Sequence, residues 1–227
     1  MTGIRVAVAC GMVLVAAGCP SRSATAVSDL DVHRHAIVVD THSDCTQRIT
    51  YDGVDFWDAI RYARKPVIAS HSSARELANV PRNMTDAMLK AVAQNGGAVC
   101  VNFGSSFLDR DFAAGEQAAW ARARTLGLPP KELWRTVRDE VSRLPPVPLS
   151  RLVDHVDHVA KVAGIDHVCL GSDFDGVPAT PVGLEDVSKL PALTAELRRR
   201  GYAPDDVEKI LGGNVLRVLA ANEPAQR

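Results

Sequence analysis

The sequence carries almost no excess charge of either sign: 26 Lys and Arg stand against 27 Asp and Glu, a net charge of -1 over 227 residues. No basic run accompanies that balance, so a polyanion partner is excluded and nucleic-acid binding with it. Long apolar stretches are also missing, since the run from Val6 to Ala17 is too short to span a bilayer. The five cysteines show no metal-type spacing. Cys10 and Cys19 lie in the N-terminal segment, which leaves Cys45, Cys100 and Cys169, an odd number. Cys100 and Cys169 sit in apolar strand-like runs and read as small buried residues, with no disulfide framework implied. Neither an internal repeat nor a low-complexity linker is present. What remains is a chain 46% hydrophobic and 23% charged, enough to bury one sizeable core.

The N-terminal segment stands outside that core. Arg5, the apolar run and then Gly18-Cys19-Pro20 have the layout of an export signal. Ala16-Ala17-Gly18-Cys19 looks like a bacterial lipobox, in which the cysteine thiol is lipidated and becomes the new N-terminus. A plain cleaved signal with a coincidental cysteine is the alternative. The expected organisation is a signal over residues 1–19, a linker and short helix over 20–35, and a single domain over 36–227.

Within that domain strand and helix signals alternate. Ala36 to Asp40, Pro66 to Ser70, Ala98 to Phe103 and His167 to Gly171 read as buried strands. Phe56 to Arg64 has helical spacing. Thr85 or Asp86 caps a helix bearing Met88, Leu89, Val92 and Ala93, which Gly96-Gly97 ends. Two polar-faced helices follow near 112–126 and 130–144. Leu152, Val156, Val159 and Ala163 form a stripe up to Gly164, and the tail from Pro191 is helical with breaks at Gly201 and Gly212-Gly213. Short strands alternating with helices mean parallel βα units, whose chemistry gathers where strands end.

The residues at those ends are specific ones. His42 and Asp44 follow the first strand, and Ser70-His71-Ser72 the second. Asn102 closes the third, and Asp173-Phe174-Asp175-Gly176 follows the last. Imidazoles and carboxylates so placed are the ligand types of zinc-class hydrolases. In an extended His-x-Asp both side chains point to one side, so one strand can clip one cation. Each feature also has a purely structural reading. His-x-Asp is then a hydrogen-bonded loop pair and His71 a helix cap. Asp-Phe-Asp-Gly becomes an Asx-turn with Phe174 in the core and Gly176 supplying positive φ. His155 and His158, three apart beside Asp154 and Asp157, have a spacing that could hold a metal, but read more simply as a solvated helix edge.

Taken together, the motifs resemble the membrane (renal-type) dipeptidase family. Val39-Asp-Thr-His-Ser-Asp44 is similar to its opening metal motif. Lys65-Pro-Val-Ile-Ala-Ser-His-Ser-Ser73 with Pro81-Arg-Asn-Met-Thr-Asp86 resembles its central block. Asp154-His-Val-Asp-His158, Val162-Ala-Gly164, Gly171-Ser-Asp-Phe-Asp-Gly176, Gly183-Leu-Glu-Asp-Val-Ser-Lys189 and Gly212-Gly-Asn214 resemble its closing third. The likeness runs almost unbroken from Phe56 to Leu219, with a short piece near 36–54. It implies a TIM-type (β/α)8 barrel of the metal-dependent hydrolase kind, holding two zinc ions and cleaving dipeptides, including those with a C-terminal D-residue. By position, His42 and Asp44 would bind the first zinc and His71 the second. Arg82 would grip the substrate carboxylate, and Asp173 would handle the proton.

The chain departs from the pattern between Asp44 and His71. There the family has a long stretch supplying a bridging glutamate, a second zinc histidine and a substrate-contacting histidine. Here Tyr51-Asp-Gly-Val-Asp55 runs straight into Phe56-Trp-Asp-Ala-Ile60, with no Glu or His in between. Without the signal roughly 200 residues remain, against about 250 for a typical barrel, and fewer than eight strand runs are visible. The expectation is an incomplete barrel with a damaged binuclear site, weak or inactive as a dipeptidase. The alternative is a non-catalytic exported lipoprotein that binds peptides through Arg82. Expected partners are a dipeptide, a membrane reached through lipid on Cys19, and a second copy in a homodimer.

Overall fold

In the computed structural model, which describes residues 6–9, 12–15, 60 and 63–223, two short β-strands come first. Val6–Ala9 (β1) pairs antiparallel with Met12–Val15 (β2) inside the segment expected as an export signal. The strand expected at 36–40 lies outside the described residues. Of the helix expected at 56–64, residues 60, 63 and 64 are described; Ile60 is helical, and Ala63 and Arg64 are not.

The main sheet has three parallel strands in the order Ile68–Ala69 (β3), Ala98–Asn102 (β4) and Val168–Gly171 (β5). A parallel pair needs a crossover. From β3 to β4 it is Asp86–Gln94 (α1), which starts where Thr85 accepts the Met88 N–H, the cap read from the sequence. From β4 to β5 the chain runs through Ser105–Leu108 (α2), Arg110–Arg124 (α3), Pro130–Val141 (α4) and Leu149–Ala163 (α5). Helix α5 carries the expected stripe and stops at Gly164, whose φ of 97° only glycine adopts readily.

After β5 come Leu190–Arg199 (α6), Pro204–Glu208 (α7) and Asn214–Asn222 (α8). The break at Gly201 is present. The break expected at Gly212-Gly213 is not, because a π-helical turn over Lys209–Gly213 carries α7 directly into α8. Two glycines weaken a helix by roughly 1 kcal/mol each but do not forbid it, and Ile210 buried in the core holds the turn in place.

The sheet separates two apolar layers. Val99, Val101, Phe103 and Val168 join Leu89 and Val92 of α1, Leu152, Val153, Val156 and Val159 of α5, and Leu193 and Leu197 of α6. On the opposite face, Ala98, Cys100 and Cys169 meet Val218 of α8, with Ile68 and Val215 beside them. Strand alternation produces this division directly.

Cys100 and Cys169 are buried, as their setting implied, but they are not separate thiols: a disulfide joins them. They stand directly opposite in the β4–β5 register, a relation invisible in a chain where 69 residues separate them.

His155 departs most from its expected place. Far from lying on a solvated edge, it is fully buried. Its Nδ1 accepts the Ala74 N–H at 3.1 Å, and its Nε2–H donates to the Leu108 carbonyl at 3.0 Å. His158 is partly buried and meets Asp86 of α1 at 2.7 Å. Asp154 and Asp157 instead bind Arg200 at the end of α6. All four residues of that cluster hold elements together.

This packing has two measurable consequences. Replacing both Cys100 and Cys169 with Ala removes a cross-link closing a loop of 69 residues, and chain entropy puts the cost at about 4 kcal/mol. Urea unfolding checks it; an unchanged midpoint would show that the cross-link contributes nothing. Burial lowers the His155 pKa from 6.5 to about 4. The unfolded chain therefore binds the extra proton first, and stability falls as pH drops from 6.5 towards 4, by roughly 3 kcal/mol. Unfolding measured across that window should fall less steeply in His155→Leu, which is already weaker at pH 7. An equal slope in both proteins would exclude His155 as the source.

Candidate functional site

The carboxyl ends of β3, β4 and β5 converge on a polar edge. After β3 the chain turns at Ser70 and His71 and crosses the sheet face towards β5. A side chain at Gly171 would sit 2.0 Å from the Ser70 carbonyl oxygen and 3.0 Å from the His71 Cα. Only a residue without Cβ allows that approach.

The loop from Ser70 to Thr85 is held from inside. Asn83, fully buried, accepts the Ser73 N–H at 3.1 Å and donates to the carbonyls of Ala78 at 2.9 Å and Phe107 at 2.8 Å. The Ala74 N–H is held by His155, and the Ser73 hydroxyl donates to the Asn102 carbonyl at 3.4 Å. Buried amides and carbonyls need such partners, so the loop has one conformation to adopt.

That conformation presents His71 and Arg82 to each other. His71 is nearly buried, and an Arg82 guanidinium nitrogen donates to its Nε2. Nε2 is therefore the unprotonated nitrogen, and Nδ1–H donates to the Ser70 hydroxyl at 2.8 Å. The guanidinium lies 5.2 Å above the Phe107 ring, a cation–π contact that fixes its plane.

Asp173 lies two residues beyond β5. With φ at 55° it is the one non-glycine residue of positive φ among the described residues. The Gly176 N–H donates back to its carbonyl at 3.0 Å. The hydrogen bond is thus that of a backbone turn, not the side-chain bond of an Asx-turn, and the left-handed residue is Asp173 and not Gly176. Phe174 packs on the core as expected, edge-on to Phe103 at 5.6 Å. The Asp173 carboxylate accepts from the Asn102 amide at 3.3 Å.

The structure thus pairs His71 with Arg82 in the loop after β3 and sets Asp173 after β5, held by Asn102 of β4, while His42 and Asp44 lie outside the described residues. Ser70 stands in the strand-end motif without a role of its own, and nothing in the sequence marks Phe107. A depression of about 360 Å³ lined by Arg75, Glu76, Asn79, Thr85, Asp86 and Arg110 contains none of the expected site residues. Among the described residues no three His, Cys, Asp or Glu side chains come together as a metal would require. The described residues alone do not complete a metal centre.

Parallel βα units with polar residues at the strand ends define an α/β protein of the class that includes many hydrolases. Residues 53–227 match the family model for membrane dipeptidases, peptidase family M19, and the chain belongs to that family. It is 37% identical over 188 residues to the dipeptidase ataJ of Aspergillus terreus, a match covering 83% of this chain and 36% of that protein. The structure of a metallopeptidase from Rhodobacter sphaeroides, solved with a phosphinate mimic of L-Ala-D-Ala, overlays with a TM-score of 0.58 at 30% identity. That match covers 74% of this chain and 39% of the other. The probable dipeptidase PvdM of Pseudomonas aeruginosa gives 0.61 at 27% identity, covering 78% of this chain and 52% of the other. The chain therefore spans between about a third and a half of the relatives it matches. Membership of a metallopeptidase family implies a metal cofactor.

Proposed function

We propose that the chain is a metal-dependent dipeptidase by descent, hydrolysing dipeptides weakly because its site is shortened. The observation that carries the reading is the meeting of His71 and Arg82 in the loop after β3, within a chain of this family that carries Asp173 just after β5. In this reading the scaffold is an incomplete (β/α)8 barrel, and the cofactor is zinc. His42 and Asp44 would hold a first zinc and His71 a second. Arg82 forms a bidentate pair with the free carboxylate of the dipeptide. The Asp173 carboxylate takes a proton from the attacking water and returns it to the leaving amine nitrogen. Weakness follows from the absence of Glu and His between Asp44 and His71, since so few ligands hold a metal loosely.

L,L- and L,D-dipeptides offered to the purified chain with added zinc should be cleaved slowly. Chelator should abolish that cleavage, and Asp173→Asn should lower kcat by about 100-fold or more. Turnover equal to that of a full-length relative would overturn the idea of a damaged site. No cleavage from a folded, zinc-treated chain would overturn the enzymatic reading and favour a peptide-binding protein working through Arg82.

The proposal includes export as a lipoprotein anchored at Cys19, and assembly as a homodimer. The Cys100–Cys169 disulfide supports export, because such bonds persist in oxidising compartments. Cells fed labelled palmitate should label the chain, and Cys19→Ala should lose the label. Equal labelling of both would refute the anchor.

A further inference from the structure

Asn102 is fully buried at the end of a strand that otherwise reads Ala-Val-Cys-Val. An amide in that position is costly unless both of its ends are matched. Its Oδ1 accepts the Gly104 N–H at 2.5 Å, tying the β4–α2 turn. Its Nδ2 donates across to Asp173 Oδ2 at 3.3 Å. The other Asp173 oxygen faces Gly176, where a Cβ would lie only 2.1 Å away. The carboxylate is thus bracketed between an amide from the neighbouring strand and a position with no side chain. Two residues earlier on β4 the Cys100–Cys169 disulfide fixes the register of the same two strands.

We infer that Asn102 is a positioning residue whose side-chain amide aims the Asp173 carboxylate at the reacting atoms. The inference rests on the proposed role of Asp173. Displacements near 1 Å at a reacting group can cost on the order of 100-fold in rate, so a carboxylate on a left-handed turn needs a second hold. The two hydrogen bonds of Asn102 separate cleanly. The one to Gly104 serves the turn, and the one to Asp173 serves the chemistry.

Asn102→Asp tests this, because it keeps an acceptor for Gly104 while turning the donor facing Asp173 into a repelling oxygen. The expected result with zinc-loaded chain is a kcat lowered by about tenfold or more with KM nearly unchanged. The exchanged pair, Asn102→Asp with Asp173→Asn, should regain most of the Tm lost in Asn102→Asp. In that pair the amide and the carboxylate have traded places, so the hydrogen bond forms again in the opposite direction, but turnover should not return. A kcat for Asn102→Asp equal to that of the unaltered chain would overturn the inference. If the unaltered chain cleaves no dipeptide, the enzymatic reading fails separately. The Tm cycle alone then decides whether Asn102 holds Asp173. Recovery in the exchanged pair supports the hold, and strictly additive losses overturn it.

Discussion

The pairing of β4 with β5 is the constraint on which the rest depends. One register places Cys100 opposite Cys169 and Asn102 opposite Gly171. It thereby sets the disulfide, the close approach of the Ser70 carbonyl to Gly171, and the reach from Asn102 to Asp173. A slip of one residue would turn each of these side chains to the other face. Parallel strands must be covered on both sides. Here α1, α5 and α6 cover one side and α8 the other, on a far smaller cluster. The amino ends of the strands are closed by side chains from the C-terminal helix. Asn214 donates to the Ile165 and Val168 carbonyls, and Arg217 to those of Gly96, Gly97 and Asp166.

The functional loop depends on the same frame through buried polar pegs. Asn83 and His155 hold backbone groups of the loop that water cannot reach. Net gains from single hydrogen bonds are small, about 1 kcal/mol, whereas an unmatched buried group costs more. The loop therefore has few alternatives once the core forms. That is how an irregular segment with little regular structure can present His71 and Arg82 in a fixed relation. One peg comes from within the loop and the other from α5.

Much of the fold was legible. Thr85 and Gly96-Gly97 delimit α1 by local chemistry, and the α5 stripe with Gly164 does the same. The Gly212-Gly213 pair misled because local propensity reads as a stop, while the burial of Ile210 overrides it. The disulfide was hidden because strand register, not spacing, brings its cysteines together. His155 was hidden by its charged neighbours. Asp154 and Asp157 mark an outer edge, yet a helix turns by 100° per residue and carries the two residues between them, His155 and Val156, inward. Within the site, His71, Arg82 and Asp173 stood out through family resemblance, whereas isolated motifs would not have raised them above loop chemistry. The left-handed backbone of Asp173 had no signal of its own, since the Gly three residues later was the obvious bearer of it.

Arg82 and His71 bear on each other in a way the resemblance alone does not reveal. A neutral imidazole has one lone pair, and here the guanidinium donates to it. A metal ligand role for His71 through Nε2 would need that same lone pair. If His71 were to hold an ion through Nε2, the Arg82 guanidinium would have to give up that hydrogen bond. Its own destination is then the substrate carboxylate, a stronger, charge-assisted partner. The Phe107 ring beneath it retains the cation through a contact that depends little on in-plane rotation. Metal and substrate would thus compete with one internal hydrogen bond and together replace it. Each binding event would release a group that the other needs, which couples them in the positive sense.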